Sequence, residues 1–290
     1  MTDQLSSDHA PDSAGPVAPV LSVVGGAATD VGRRRAVNED AFLAASPLFL
    51  VADGMGGHEA GEVASAAVVA EFARLVGRPS LDVDTVRTTF ARARRRVAEI
   101  DEGGNAGTTL TGAVIAEIDG GAYWLVLNIG DSRTYRLSGG ELEQVSVDHS
   151  VVQELVDAGQ LDPEEAEIDR RRNVITRAIG GGSEADPDFW LTPAETGDRL
   201  LVCSDGLSNE LDRVRMHDIL KTVADPEDAA TVLVREAVDH GGRDNVTAVV
   251  VDVVAVHAEA PSIDDTVPTG PTDHDTRPRE VRAPQTQEAP

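Results

Sequence analysis

Lysine, cysteine and long apolar runs are all but missing from this chain of 290 residues. Lys221 is the only lysine, and Lys plus Arg number 25 against 51 Asp plus Glu, a formal charge of −26. So acidic a chain repels a phosphate backbone and an anionic bilayer surface, which argues against nucleic acid and membrane as partners. Cys203 stands alone. No internal disulfide framework is therefore expected, and a reducing compartment suits the chain. The most apolar run, Ala248 to Val256, is interrupted by Asp252 and falls well short of the roughly 18 residues of a membrane span. No basic segment followed by an apolar stretch opens the sequence, so no signal peptide is expected and the chain reads as cytoplasmic; a monomer is expected as well.

Several chemistries lack their motifs. A Walker loop needs Gly-Lys-Ser/Thr, but Lys221 follows Leu220. A dinucleotide Gly-x-Gly-x-x-Gly after Asp53 fails at its last position, where Glu59 stands. A cysteine phosphatase needs Arg six residues after its nucleophile, and Asn209 occupies that place after Cys203. Gly130-Asp131-Ser132 suggests a serine hydrolase, yet none of the seven His residues completes an Asp-x-x-His partner. One cysteine cannot build a thiolate zinc site, and no His-Glu-x-x-His is present.

What is there is a folded middle between two tails. Apolar residues make up 41% of the chain, enough for a sizeable core. Residues 1–19 and 258–290 are rich in Pro, Asp, Ser and Thr and read as disordered. They carry −3 and −4, so about −19 belongs to residues 20–257. Strands are expected at Leu21–Ala28, Ala41–Ala45, Leu48–Ala52, Thr109–Ile118, Tyr123–Ile129, Thr134–Leu137, Glu141–Val145, Leu200–Cys203 and Val246–Val256. Asp119-Gly120-Gly121 and Gly139-Gly140 signal hairpins. Helices are expected at Gly61–Leu75, Leu81–Ile100, Val214–Val223 and Glu227–Asp239, with two short polar helices, an Arg-rich stretch and Gly180-Gly181-Gly182 within 150–190. Hairpins dominate, so the sheets should be mostly antiparallel, with helices outside them.

Acidic residues recur at strand edges. Asp53-Gly54, Asp131 and Asp205-Gly206 each follow an apolar run, Asp244-Asn245 precedes the last strand, and Asn38-Glu39-Asp40 opens an early one. A single Asp-Gly after a strand is usually just a turn. Five such sites in one domain would repel by several kcal/mol if brought together without cations, and oxygen-only donors favour Mg2+ or Mn2+.

Gly32-Arg33-Arg34-Arg35-Ala36-Val37-Asn38-Glu39-Asp40 and Asp53-Gly54-Met55-Gly56-Gly57-His58 resemble the opening motifs of the metal-dependent PP2C (PPM) serine/threonine protein phosphatases. Gly107-Thr108-Thr109, Ile129 to Arg133, Cys203 to Leu207 and Gly242 to Thr247 match later motifs in order, in a form similar to the bacterial branch. The resemblance implies an α+β fold, an αββα sandwich of two mostly antiparallel sheets flanked by helix pairs, with a mobile flap at about 148–190.

It also implies two metal ions, Mn2+ or Mg2+, and hydrolysis of phosphoserine and phosphothreonine in proteins by a water activated between them. Two ions about 3.5–4 Å apart lower the pKa of such a water toward neutrality. Carried over by motif, Asp53 bridges both ions, the Gly54 carbonyl binds one, and Asp205 and Asp244 bind the other. Glu39 and Asp40 either hold metal-bound waters or bind directly. Asp131 with Asp205 matches the third-metal position of bacterial members. Arg35 matches the phosphate-binding Arg, a choice over Arg33 and Arg34 that the five-residue step to Asp40 favours. Partners would be phosphorylated proteins, a Ser/Thr kinase or its substrates.

One departure concerns the proton donor. Eukaryotic members often place His directly after Asp-Gly, where this chain has Met55, so a water would protonate the leaving oxygen. His58 reads as a loop or helix N-terminal residue. Gly56, Gly57 and Gly61 read as serving loop geometry and close helix packing, Ser132 and Arg133 as structural, Arg170 to Arg172 as a solvated face, and Trp124 and Trp190 as core. Two rival functions share the same residues. One is a metal-binding pseudophosphatase that docks phosphoproteins without turnover; the other is a small-molecule phosphatase.

Overall fold

A computed structural model describes residues 20–56, 60–100, 106–166, 168–183 and 185–257; the expected tails, and Gly57 and His58, lie outside the described residues. The first half contains β1 (Leu21–Asp30), β2 (Asp40–Ala45), β3 (Leu48–Met55), α1 (Ala60–Ala73), α2 (Val83–Ile100), β4 (Gly107–Thr108), β5 (Leu110–Ile118), β6 (Gly121–Ile129), β7 (Arg133–Ser138) and β8 (Glu141–Gln144). The second contains α3 (Val151–Asp157), α4 (Pro163–Ala166), β9 (Ile179–Gly180), β10 (Asp188–Pro193), β11 (Arg199–Cys203), α5 (Asp205–Ser208), α6 (Arg213–Thr222), α7 (Pro226–His240) and β12 (Val246–Val256). Among the described residues no helix is long and apolar enough to cross a membrane.

Two antiparallel sheets result. One is ordered β1-β12-β11-β7-β8; the other runs β10-β6-β5-β3-β4-β9, with β2 also paired to β3. Alternation along the strands builds three apolar layers. Phe49, Val51, Ile115, Trp124 and Val126 face Leu200, Val202, Val249 and Val251 between the sheets. The opposite faces point to helices: Leu48, Leu50, Leu125 and Leu127 to Phe72, Val86 and Phe90 of α1 and α2, and Leu201, Cys203, Ala248 and Val250 to α6 and α7. This is the αββα sandwich that the resemblance implies. Trp124 is fully buried, edge-on to Phe49 at 6.2 Å, and Trp190 packs against the same layer.

Both signalled hairpins have the twist-matched two-residue turn. Asp119 (φ 51°) and Gly120 (φ 76°) join β5 to β6; Gly139 (φ 59°) and Gly140 (φ 88°) join β7 to β8. Four elements escape the pattern reading. β4 and β9 have two residues each and α5 has four, too short to show a period. β10 lies in the segment read as polar helices and loop; it is an edge strand paired to β6 and ends on Pro193, as edge strands tolerate.

Candidate metal centre

Strand register alone brings the acidic residues to one end of the sandwich. Asp40, first in β2, is the cross-strand partner of Asp53 near the end of β3. In the other sheet Cys203 pairs with both Arg133 and Ala248, so the end of β11 lies beside the starts of β7 and β12. Asp205 lies two residues past that rung, and Asp131 and Asp244 each lie two residues before the strand they precede. Glu39 adjoins Asp40, and Arg35 lies in the loop between β1 and β2.

Hydroxyl and amide groups fix these carboxylates. Asp40 Oδ2 accepts from Ser204 Oγ at 2.8 Å and Thr247 Oγ1 at 2.7 Å, a contact that joins one sheet to the other. Its Oδ1 is shielded from solvent and lacks a partner. Asp53 is held through its main chain: its N–H donates to Thr109 Oγ1 at 3.0 Å, and its carbonyl accepts from Thr108 Oγ1 at 2.9 Å. Asn209 Nδ2 donates to Asp205 Oδ2 at 2.9 Å. Asn245 staples the Arg35 loop: its Oδ1 accepts from the Glu39 N–H at 2.9 Å and its Nδ2 donates to the carbonyls of Val31 and Val37 at 3.0 Å each. Gly54 admits no side chain, since a Cβ there would lie 2.3 Å from the Gly61 carbonyl oxygen at the start of α1.

The electrostatics are those of crowded anions. Burial, then the charges of Asp40, Asp205, Asp131 and Asp244, holds the Asp53 carboxyl well above the usual range. Burial outweighs the Thr247 and Ser204 hydroxyls and pushes Asp40 up to about 7. Asp131 also reaches about 7, through burial and then Asp205 and Asp148. Burial and Asp244 raise Asp205, and burial raises Glu39 despite Arg35. Of the three consecutive arginines, Arg35 faces this group, with Nη2 2.6 Å from Asp244 Oδ2 and Nη1 3.8 Å from Glu39, whereas Arg33 turns to Asp239.

A cation suits this set in two respects. The donors are all oxygen, the hard type that Mg2+ and Mn2+ take, and the buried Asp40 Oδ1 has no hydrogen-bond donor. Among the described residues, however, no three acidic side chains stand close enough together to enclose an ion as arranged. Charge and donor chemistry, not cage geometry, favour the cation here.

The other motif residues have local partners. Ser132 Oγ lies 2.8 Å from Thr109 Oγ1, and the Arg133 guanidinium grips Asp148 at 2.7–3.0 Å. Gly61 lets α1 approach Gly54; a Cβ on it would lie 2.6 Å from Glu39 Oε1. Met55 reaches over Gly107, where a Cβ would come within 2.9 Å of its Cε. Between α4 and β9 Arg171 pairs with Asp169. Asn245, Ser204 and Thr247 lie inside acidic motifs and Thr108 and Thr109 in the Gly107-Thr108-Thr109 motif, yet only the cross-strand contacts reveal what they hold.

Residues 31–239 match the family model for protein phosphatase 2C. The serine/threonine protein phosphatase PstP of Mycobacterium tuberculosis is 44% identical over 237 residues, covering 79% of this chain and 44% of that protein, so the chain spans less than half the length of this relative. Protein phosphatase PhpP of Streptococcus pneumoniae is 38% identical over 244 residues, covering 80% of this chain and 98% of its own length. The catalytic domain of PstP, solved in complex with two manganese ions, superposes with a TM-score of 0.70 at 39% identity, covering 80% of this chain and 99% of that one. Motif order, sandwich topology and these matches together make the chain a member of the protein phosphatase 2C family.

Proposed function

We propose that this chain hydrolyses phosphoserine and phosphothreonine in proteins with Mn2+ or Mg2+ as cofactor. The gathering of Asp40, Asp53, Asp131, Asp205 and Asp244 from both sheets at one end, beside Arg35, carries the reading. The two manganese ions in the PstP catalytic domain support the cofactor, and the phosphoprotein phosphatases among the relatives support the substrate class.

In this reading Asp53, the Gly54 carbonyl, Asp205 and Asp244 hold two ions, Glu39 and Asp40 contribute directly or through water, and Asp131 with Asp205 serves a third. Hard dications bound there supply a water ionised near neutral pH and positive charge at the phosphoryl oxygens. The rest falls to the chain. Ser204 and Thr247 pin one Asp40 oxygen and leave the other free to point inward. Arg35, about half exposed, swings its guanidinium from Asp244 to two phosphate oxygens and steadies the charge that builds in the transition state. Met55 has no proton to give, so the leaving serine or threonine oxygen takes one from water. Residues 20–257 act as one phosphatase domain with a flap at 148–190, as a monomer. Phosphoproteins arise where ATP is, so the site of action is the cytoplasm, on a Ser/Thr kinase or its targets.

Purified protein should release phosphate from a phosphothreonine peptide with Mn2+ and stop with EDTA. Asp53→Asn should lower kcat by about three orders of magnitude, the scale of removing charge stabilisation from a transition state. Full activity in Asp53→Asn would refute the assignment. Manganese uptake without turnover would make the chain a phosphoprotein-binding module, and preference for a sugar phosphate over the peptide would make it a small-molecule phosphatase.

A further inference from the structure

We infer that His149 is a positioning residue that ties the flap to the turn carrying Asp131. His149 opens the flap and is 5% exposed. Its main-chain N–H donates to the Gly130 carbonyl at 2.8 Å, and its ring Nδ1 lies 3.2 Å from the Gly130 N–H. An amide nitrogen only donates, so Nδ1 accepts and the ring hydrogen sits on Nε2. Nε2 lies 3.0 Å from Asp188 Oδ2, the first residue of β10, and Arg177 Nη1 reaches the same carboxylate at 3.3 Å. The His149 carbonyl accepts from the Thr176 N–H at 2.8 Å. One side chain and its peptide thus join the end of β6, the returning flap segment and β10.

The turn has a further side-chain anchor in Asn128, whose Nδ2 also donates to the Val147 carbonyl at 3.0 Å. Gly130 has φ 111°, and a Cβ there would lie 2.5 Å from Thr109 Cγ2, so the turn admits only glycine. Asn128 Nδ2 donates to the Gly130 carbonyl at 3.0 Å, but the Gly130 N–H goes to His149 alone among the contacts of the described residues. Asp131 is the next residue. The functional consequence rests on the phosphatase reading above: a loosened turn lets the Asp131 carboxylate wander and weakens its share in holding a cation.

The two faces of the imidazole can be separated by substitution. His149→Asn places an amide oxygen where Nδ1 stands and keeps an acceptor for Gly130. His149→Gln reaches to Nε2, keeping a donor for Asp188 and losing that acceptor. Three quantities decide: hydrogen exchange at the Gly130 amide, calorimetric Mn2+ titration, and kinetics on a phosphothreonine peptide. His149→Gln should speed Gly130 exchange about tenfold and weaken Mn2+ uptake by about tenfold, the scale found for partners that orient a ligand from outside the coordination sphere. Its kcat should fall with KM little changed, and His149→Asn should stay near wild type in all three. Equal behaviour of Asn and Gln, or Gly130 exchange unchanged in Gln, overturns the proposal. Should both variants fail to fold, Asp188→Ala decides: it should speed exchange at Thr176 and leave Gly130 protected, and unchanged Thr176 exchange overturns the tether. Wild-type protein that shows no Mn2+-dependent turnover defeats the phosphatase reading instead, and the exchange comparison still tests the tether.

Discussion

Asp40 and Asp131 each sit at about 7 in the folded chain against an ordinary 3.8. The folded state therefore keeps protons that the unfolded chain has already released. This contribution to stability is complete below about pH 4 and is lost as the pH climbs through 7. Asp131→Asn removes one such group. In EDTA the variant should melt about 2–4 °C above wild type at pH 7.5, the shift that about 1 kcal/mol produces in a domain of this size, and the advantage should vanish near pH 4. Equal melting temperatures at pH 7.5 would show that Asp131 carries no burial strain. The acidic residues themselves were legible in the sequence because each lies within two residues of a strand end, with glycine or asparagine no more than two positions away. The Ser204 and Thr247 hydroxyls on Asp40, and the Asn245 staple on the Arg35 loop, join residues more than 160 positions apart, and no local pattern records such a pairing.

At the scale of elements, segments with an apolar pattern were readable down to the four residues of β8, whereas the two-residue strands β4 and β9 and the single turn α5 were not. β12 runs 11 residues with valine on both faces, as a central strand covered on both sides must. β10, as long as β2 and β7, follows a polar, glycine-rich stretch that masks it, and its place is set by its register against β6. Arg199, at the start of β11, was equally unforeseen. It is buried, pairs with Asp252 at 2.6 Å and donates to the carbonyls of Leu220 and Val223 at the end of α6. It thereby fastens that helix to the sheet and satisfies carbonyls a helix end leaves open. Arg199→Ala leaves a carboxylate and these carbonyls without partners, at a cost of about 3–5 kcal/mol. Urea unfolding should show the loss, while KM for a phosphopeptide stays put because Arg199 lies outside the acidic cluster.

The whole molecule carries −26, and the substrates proposed for it are anionic as well. Long-range repulsion slows the approach of acidic phosphopeptides and favours basic ones. A phosphothreonine peptide flanked by arginine should therefore have a higher kcat/KM at low salt than one flanked by glutamate. The gap should narrow by about 150 mM NaCl, where fields are screened within about 8 Å; a gap independent of salt would place the preference in local contacts. The three apolar layers have a quieter consequence. The single sulfhydryl of the chain, Cys203, lies sealed in the layer beneath α6 and α7, and burial drives its pKa up to about 12. A maleimide in the surrounding water meets no rival thiol and can capture this one only when the layer parts, so the labelling rate is a clock for breathing of that half of the sandwich, supplied without any engineered probe.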